Sequence, residues 1–395
     1  MRLCLASLHP RILSGQIDSL AGLGRTLARR GHQVDLVAPF DTSRLLTDDL
    51  VELDQGPTRL SAAACRMFSS VPRIARRARG NDVVHLALPT PAFAWLADLV
   101  RLTSGVPVVA GFEGHLAGGR ELDALRNRLG AIGGWLPLCG VNNRLVARLG
   151  ARACESYVVS SQYQRDELLH LGFPIERVAV VPNVVEDGKL SPVEPRLARR
   201  RLGLPLCEPV VGYAGHLNDV KGVDVLAAAF RPLLERVPEA RLALAWSGQG
   251  SRRAVDHALA GLGDRVVWLS KVHVGTFLSA IDVLALPYRS TAGQAAFPSM
   301  AVEAIRAGRP LVTTDLPLLR ELTDLGPIAR TCPPEQPAAL AEQIAALLCA
   351  PAERAAMAEA QRRVGRRFAP EWLVPRYEQL YRAAAGPAPA YALAA

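Results

Sequence analysis

Short apolar runs alternate along the chain with stretches whose apolar residues recur every three or four positions, and that alternation predicts the elements. Leu3–Ser7 reads as a strand. Ile17, Leu20, Leu23 and Leu27 then fall on one face of a helix over Ile17–Arg30, with Gly31 where a capping glycine would stop it. Val34–Ala38, Val83–Leu86, Val106–Ala110, Tyr157–Ser160 and Val178–Val181 continue the series of strands. Between Pro182 and Pro209 the rhythm breaks at Glu186-Asp187-Gly188-Lys189, at Pro192, Pro195 and Pro205, and at Arg199–Arg201, which predicts a linker over 186–208. It restarts with Val210–Ala214 and a helix over Val223–Val237. Leu242–Trp246, Val266–Leu269, Val283–Leu286 and Leu311–Thr313 are the later strands. Buried strands alternating with helices imply parallel sheets and right-handed crossovers. The prediction is two doubly wound α/β domains, 1–185 and 209–368, and a tail at 386–395 with too little to bury.

Composition changes this picture little. A chain of 395 residues allows two or three domains at ~150 residues each. The net charge of +9 looks like a nucleic-acid footprint, but the charge is dispersed and lacks interleaved stacking aromatics. All the basic residues except Lys189, Lys221 and Lys271 are arginine, so each lysine kept against that bias draws notice. The seven cysteines are scattered and form no C-x-x-C pair, against a zinc ribbon, a dithiol centre or a disulfide framework. Met1–Ala6 runs into His9-Pro10 without a signal-peptide core, and Val83–Val100 is interrupted by His85, Pro89, Pro91 and Asp98. A cytoplasmic protein is expected.

In doubly wound sheets the ligand lies beyond the carboxyl ends of the strands, which directs attention to three segments. Val211 to Asp224 leaves a strand through Gly212 and Gly215 and places Lys221 where the next helix begins, joining a cation to free backbone N–H groups as a phosphate requires. A lone Lys-Gly on a loop is ordinarily a solvated lysine; the arginine bias weakens that reading. Phe297 to Pro310 lets a helix begin with Ser299 as its N-cap and end at Gly308, with Glu303 one turn in. A carboxylate there can accept hydrogen bonds from sugar hydroxyls, although an isolated glutamate is more often surface. Trp246-Ser247-Gly248-Gln249-Gly250 leads from a strand into a helix, but Arg253 stands where a dinucleotide fingerprint needs glycine.

Taken in order, these segments resemble the retaining nucleotide-sugar glycosyltransferases of family 4. The resemblance extends to Ser14-Gly15, Gly31-His32-Gln33-Val34, Asp82-Val83-Val84-His85, Val180 to Val185, Gly215 to Asp224, Ala243 to Gly250, Asp282 to Pro287 and Phe297 to Pro310. It implies the GT-B fold: two Rossmann-like domains facing a cleft, with a helix at 369–385 crossing back to the N-terminal, acceptor-binding domain. Lys221 would neutralise the donor diphosphate, and Glu303 would bind the ribose. Backbone N–H groups at Phe297, Ser299 and Met300 would face sugar and phosphate. Gly15, Gly215, His216 and Gly248 would line the donor, Gly15 from a loop that approaches the phosphates. No metal or other cofactor is implied.

Three departures bear on function. His216 replaces the arginine usual five residues before the lysine, so donor affinity is expected to fall more steeply between pH 6 and 8 than in an arginine-bearing enzyme. Ala295 replaces a glutamate that reads the donor sugar. In Gly111-Phe112-Glu113-Gly114-His115, Glu113 occupies the register of the family's histidine near the reacting sugar, and His115 lies two residues on; His115 is the first candidate and Glu113 the second. The partners expected are a nucleotide-sugar donor, an unidentified acceptor and, through Arg66, Arg73, Arg76, Arg77 and Arg79 beside Met67, Phe68, Val71 and Ile74, an anionic membrane surface, on the inner face of the membrane. A solvated helix face accounts for that cluster equally well. A non-catalytic binding relative and a sugar-nucleotide epimerase of the same architecture remain as alternatives. A nicotinamide-dependent oxidoreductase would need a complete glycine fingerprint.

Overall fold

A computed structural model of the protein describes residues 1–8, 14–38, 60–112, 144–152, 154–291 and 297–386. The chain divides into two compact units. The first holds Met1–Val184 and the C-terminal stretch from Pro370, and the second holds Val185–Thr291 and Phe297–Ala369.

The first unit runs β1 (Arg2–Ser7), α1 (Ser14–Arg29), β2 (Gln33–Val37), α2 (Leu60–Ala78), β3 (Val83–Leu88), α3 (Ala94–Ser104), β4 (Val108–Phe112), α4 (Arg144–Gly150), β5 (Ser156–Val159), α5 (Gln162–His170) and β6 (Val178–Val180). Its six strands are all parallel, in the order β2-β1-β3-β4-β5-β6. Leu3, Cys4, Leu5 and Ala6 are almost wholly buried in succession, as a strand covered on both faces must be. Ile17, Leu20, Leu23 and Leu27 form the buried stripe of α1. Gly31 closes that helix at φ +86°, with its N–H on Ala28 O and the His32 N–H on Leu27 O, the paired closure that a left-handed glycine makes.

The second unit contains α6 (Pro195–Arg201), β7 (Val210–Leu217), α7 (Val223–Arg236), β8 (Arg241–Gly250), α8 (Arg253–Ala258), β9 (Val266–Leu269), α9 (Val274–Ala280), β10 (Val283–Leu286), α10 (Ser299–Ala307), β11 (Leu311–Thr314), α11 (Pro317–Thr323), β12 (Arg330–Cys332), α12 (Pro337–Cys349) and α13 (Pro351–Gly365). Its parallel order is β12-β11-β10-β7-β8-β9, the doubly wound arrangement whose direction of winding reverses between β7 and β10. The stretch predicted as a linker, 186–208, instead belongs to this unit and carries α6. Arg199 is buried there, donating to the carbonyls of Ala280, Pro205, Leu206 and Glu208 and pairing with Asp282 at 2.7 Å. Arginine and proline read as loop in the sequence because these acceptors are distant or irregular. Strand β12 was not predicted: Arg330-Thr331-Cys332 has no apolar run.

The last helix, α14 (Pro370–Ala385), returns to the first unit. Leu373, Val374, Tyr377, Leu380, Tyr381 and Ala384 recur at helical spacing and are all buried in one cluster with residues of α1, β1, β3 and β4. Burying each of the larger side chains contributes about 1.5–3 kcal/mol. Beside the stripe, Glu378 is 4% exposed and receives Arg30 Nε at 2.7 Å and Nη2 at 3.0 Å, with His32 Nε2 at 3.0 Å. The residues on either side of Gly31 thus converge on one carboxylate. Arg30's hydrogen bonds, outweighing burial and aided by His32, hold the Glu378 carboxyl down at about 2.

Because that value is depressed below the ordinary 4.5, the ion cluster's contribution is complete above pH 4.5 and is lost as pH falls towards 2. Glu378→Gln should destabilise the first unit by about 2 kcal/mol at neutral pH. Melting curves of both proteins should converge on acidification; a gap independent of pH would contradict the assignment.

Candidate functional site

The reversal between β7 and β10 places two loops side by side at the carboxyl edge of the second sheet. Past Tyr213, β7 emerges from the core through Gly215, whose φ of +148° favours glycine and whose Cβ would stand 3.1 Å from the Tyr213 hydroxyl. That hydroxyl donates to the carbonyl of His216 at 2.6 Å and so fixes the turn. Asn218 accepts the Lys221 N–H at 3.2 Å, closing a short 3-10 turn over Asp219–Lys221. Gly222 follows at φ +63°; a Cβ there would lie 2.0 Å from the carbonyl oxygen of Pro287, so only glycine lets α7 begin this close to the end of β10.

Arg289 fastens the turn from the β10 side. Its guanidinium donates to the Asp219 carbonyl and carboxylate at 3.0 Å each, to both Asp224 oxygens at 2.8 and 2.5 Å, and to Glu335 at 3.2 Å, while its N–H bonds Val220 O at 2.9 Å. Burial works against the charge on Asp224, but these bonds and the guanidinium charge hold the carboxyl below the usual range.

Lys221 is different. Its Nζ lies 3.1 Å from the Tyr288 hydroxyl and 4.4 Å from the centre of that ring, and it has no carboxylate partner among the described residues. A half-buried ammonium answered only by a phenol leaves a strong field for an anion. The adjacent imidazole of His216 shares a hydrogen bond with Ser247 Oγ, and burial first, Lys221's charge second, push its pKa below the ordinary 6.5. Both effects favour the neutral imidazole and move the expected loss of affinity towards the acid end of the pH 6–8 range.

Helix α10 supplies the second part. Pro298, not Ser299, is its N-cap and no side chain caps it; Ser299 is the first helical residue. The earliest returning bonds are Ala301 N and Val302 N to Pro298 O, so the N–H groups of Ser299 and Met300 precede the helical ladder at its positive end. Phe297 is buried edge-on against Phe368, with ring centres 6.1 Å apart, and anchors this end. Glu303 is 5% exposed, unlike an ordinary surface glutamate.

Strand β8 runs through Trp246–Gly250 instead of turning into a helix there, and α8 begins only at Arg253. Gly248 has φ +85° and open space around it. The sterically obligatory glycine is Gly250, whose Cβ would meet Leu217 O at 2.1 Å where that residue pairs with it. Gly15 lies in the first turn of α1 rather than in a loop. Glu113, His115 and Ala295 lie outside the described residues. Tyr288 and Arg289, which also shape this turn, stand in no sequence motif. Arg289 in particular carried no signal in an arginine-rich chain.

The first unit has a cavity of its own, about 60 Å³, lined by Ser19, His85, Phe112, Ser160, Asn183 and Tyr377 among others. His85 is held neutral by burial, its pKa lowered to about 4, with Nδ1 2.6 Å from the Tyr381 hydroxyl. Ser160 Oγ donates to Asn183 Oδ1 at 3.2 Å. Five separate elements contribute to this wall, so no sequence window reveals it. Among the described residues, no group of three or more His, Cys, Asp or Glu is gathered to hold a metal, and no helix is long and apolar enough to cross a membrane.

Residues 14–189 match the family described as Glycosyltransferase Family 4, and residues 208–350 match Glycosyl transferases group 1. A D-inositol 3-phosphate glycosyltransferase of Xylanimonas cellulosilytica is 31% identical over 233 residues, 55% of this chain and 54% of that protein. The chain thus aligns with about half the length of that relative, and the other D-inositol 3-phosphate glycosyltransferases of this group align over comparable or shorter spans. A phosphatidyl-myo-inositol mannosyltransferase of Mycobacterium leprae is 27% identical over 338 residues, covering 82% of this chain and 81% of that one. Among solved structures, a sucrose-phosphate synthase from Thermosynechococcus elongatus superposes with TM-score 0.72 at 20% identity, covering 97% of this chain and 98% of that chain. Anabaena HepE in complex with UDP and glucose gives TM-score 0.70 at 15% identity, covering 97% and 100%.

Binding of inorganic pyrophosphate, measured by calorimetry, should be nearly flat from pH 7 to 8 and strengthen only below pH 6.5, as His216 gains its proton. His216→Gln should remove the acid-side gain and leave the plateau. A steep fall between pH 7 and 8 that His216→Gln abolishes would refute the neutral imidazole.

Proposed function

The chain belongs to the glycosyltransferases, with a family 4 domain followed by a group 1 domain in the GT-B fold, and from that premise we propose that it transfers a hexose-type sugar from a UDP- or GDP-sugar to an acceptor hydroxyl with retention of configuration. The observation that carries this reading is Lys221, an ammonium without a carboxylate partner among the described residues, at the point where the second sheet reverses its winding. The bond from the sugar's anomeric carbon to the diphosphate oxygen breaks, and the negative charge that grows on the diphosphate is stabilised by Lys221. The acceptor oxygen attacks from the face the diphosphate leaves, and its proton passes to the departing phosphate oxygen. The N–H groups of Phe297, Ser299 and Met300 receive sugar and phosphate oxygens, and Glu303 takes the ribose hydroxyls. Gly215, His216 and Gly248 line the donor. His115, and after it Glu113, stay the candidates for the role beside the reacting sugar. No metal is needed, since Lys221 and the helix ends supply the positive field. The HepE complexes with UDP and UDP-glucose make a uridine donor the first to try.

The acceptor falls to the first unit. The neutral His85 and the hydroxyls of Ser19, Ser160 and Tyr377 around its cavity suit a polyol or sugar hydroxyl better than a charged group. The outer face of α2 and α3 favours an acceptor delivered from an anionic membrane, with the protein peripheral on the cytoplasmic side. Phe68 and Trp95 stack there with centres 6.3 Å apart, Leu99 and Leu102 are exposed, and Arg76, Arg77 and Arg79 are exposed on α2 and just beyond it. Apolar rings with arginines close by form an interfacial face.

Incubation with a panel of UDP-, GDP- and deoxy-sugar donors should release nucleotide only when an acceptor is present, with the anomeric configuration retained by NMR and the rate unchanged by EDTA. Lys221→Ala should lower kcat by about 10²- to 10³-fold. Donor binding without turnover on any donor would leave a binding relative, and donor conversion without acceptor an epimerase.

On vesicles containing anionic lipid, flotation of the protein should weaken by about 1 kcal/mol for each of Arg76→Ala and Arg77→Ala. Equal flotation of wild type and the double variant, or equal flotation on neutral vesicles, removes the membrane from the proposal.

A further inference from the structure

At the other edge of the second sheet, the chain enters β11 through a tight helix end. Gly308 takes φ +66°, its N–H bonds Ile305 O at 3.2 Å, and the N–H of Arg309 returns to Ala304 O at 2.8 Å, which fixes where Arg309 leaves the backbone. A Cβ on Gly308 would lie 2.8 Å from Nη1 of Arg362 and 3.1 Å from Ala358 O, so α13 packs directly on this corner. The Nε of Arg309 is shut off from solvent and has no hydrogen-bond partner among the described residues, while the residue as a whole is partly exposed.

The charges acting on Arg309 are unbalanced. Burial first, and then the charges of Arg199, Arg354 and Arg362, push its pKa below the ordinary value, against the opposing pull of Asp282. Asp282 is already engaged, its Oδ2 taking Arg199 Nη2 and the Val210 N–H at 2.7 Å each. Arg199 is fully used on Asp282 and on carbonyls. Arg354 reaches the carbonyls of Leu347 and Leu348 at the end of α12, and Arg362 pairs with Glu359 at 3.2 Å in an exposed contact. A guanidinium does not shed its proton to escape such a place, and a partly desolvated cation with no partner is costly. The anion that answers it has several acceptor oxygens in one plane or cone, as a phosphate does.

We infer that Arg309, with Arg362 packed against the adjoining Gly308, forms a binding site for a phosphate-bearing anion at the amino edge of the second sheet. Asp282 and Arg309 stand just before β10 and β11, whereas Lys221 follows β7, so this site and the donor site occupy opposite edges of one sheet. It is independent of the transfer reaction: its ligand touches none of the reacting atoms. A free phosphate or phosphate monoester and the phosphate of a lipid headgroup share the chemistry.

The test is a thermal melt of the full chain titrated with inorganic phosphate, against sodium chloride at matched ionic strength. Wild type should rise saturably with phosphate, and so should Lys221→Ala, in which the donor site is impaired. Arg309→Met should lose the rise, with apparent phosphate affinity lower by on the order of tenfold or more, yet melt at or above wild type without phosphate because the unpartnered cation is gone. Arg362→Gln, at a more exposed position, should weaken the response without changing the phosphate-free melt, which keeps the test available if Arg309→Met misfolds. Flotation on phosphatidate vesicles identifies the source: binding lost in Arg309→Met and competed by phosphate assigns a headgroup, and no Arg309-dependent flotation assigns a soluble phosphate. Equal responses of wild type and Arg309→Met, a response lost only in Lys221→Ala, or a chloride effect as large as that of phosphate overturns the inference.

Discussion

A β-carbon at residue 222 would stand 2.0 Å from the carbonyl oxygen of Pro287, and the geometry of the second unit's carboxyl edge depends on that closeness. Only with no side chain at this point can the turn after β7 press against the end of β10. Arg289 then reaches Asp219 and Asp224 across the gap, and Tyr288 meets the Lys221 ammonium. The left-handed glycine also starts α7, so one residue sets the entry of a helix and the position of the cation before it.

The two basic groups of this edge show how differently charge is used. Arg289 is saturated by three carboxylates and acts as a rivet. Lys221 meets only a phenol oxygen among the described residues, so no carboxylate there neutralises it. Salt bridges of the first kind contribute modestly where they face solvent; here their effect is positional, since they stiffen the segment on which the second kind is displayed. Burial and then the charge of Lys221 disfavour a proton on His216, so the imidazole adds little repelling charge to the same turn.

Much of the fold was legible in the sequence because parallel strands covered on both faces must be apolar runs. Val266–Leu269 and Val283–Leu286 are found at the residues the pattern indicates. Legibility failed where polar atoms are satisfied at long range. Arg199 reads as loop and is buried against Asp282, 83 positions away in the chain. The extension of β8 to Gly250 depends on a backbone contact with Leu217 that no side-chain pattern records. Of the candidate site, Lys221 and the α10 entrance were visible as motifs. The burial of Glu303 and the partnership of Tyr288 with Lys221 were not, since each depends on what another strand brings alongside.

The path of α14 has a consequence for synthesis. Leu373, Val374, Tyr377, Leu380 and Tyr381 complete the core that α1, β1 and β3 begin, yet they leave the ribosome only after the whole second unit. Until then the nascent first unit carries an uncovered apolar face while the whole second unit is being made. The first unit is translated first and finished last, so for most of its birth this protein depends on whatever shields that face, and a chain stopped before Pro370 would keep it bare.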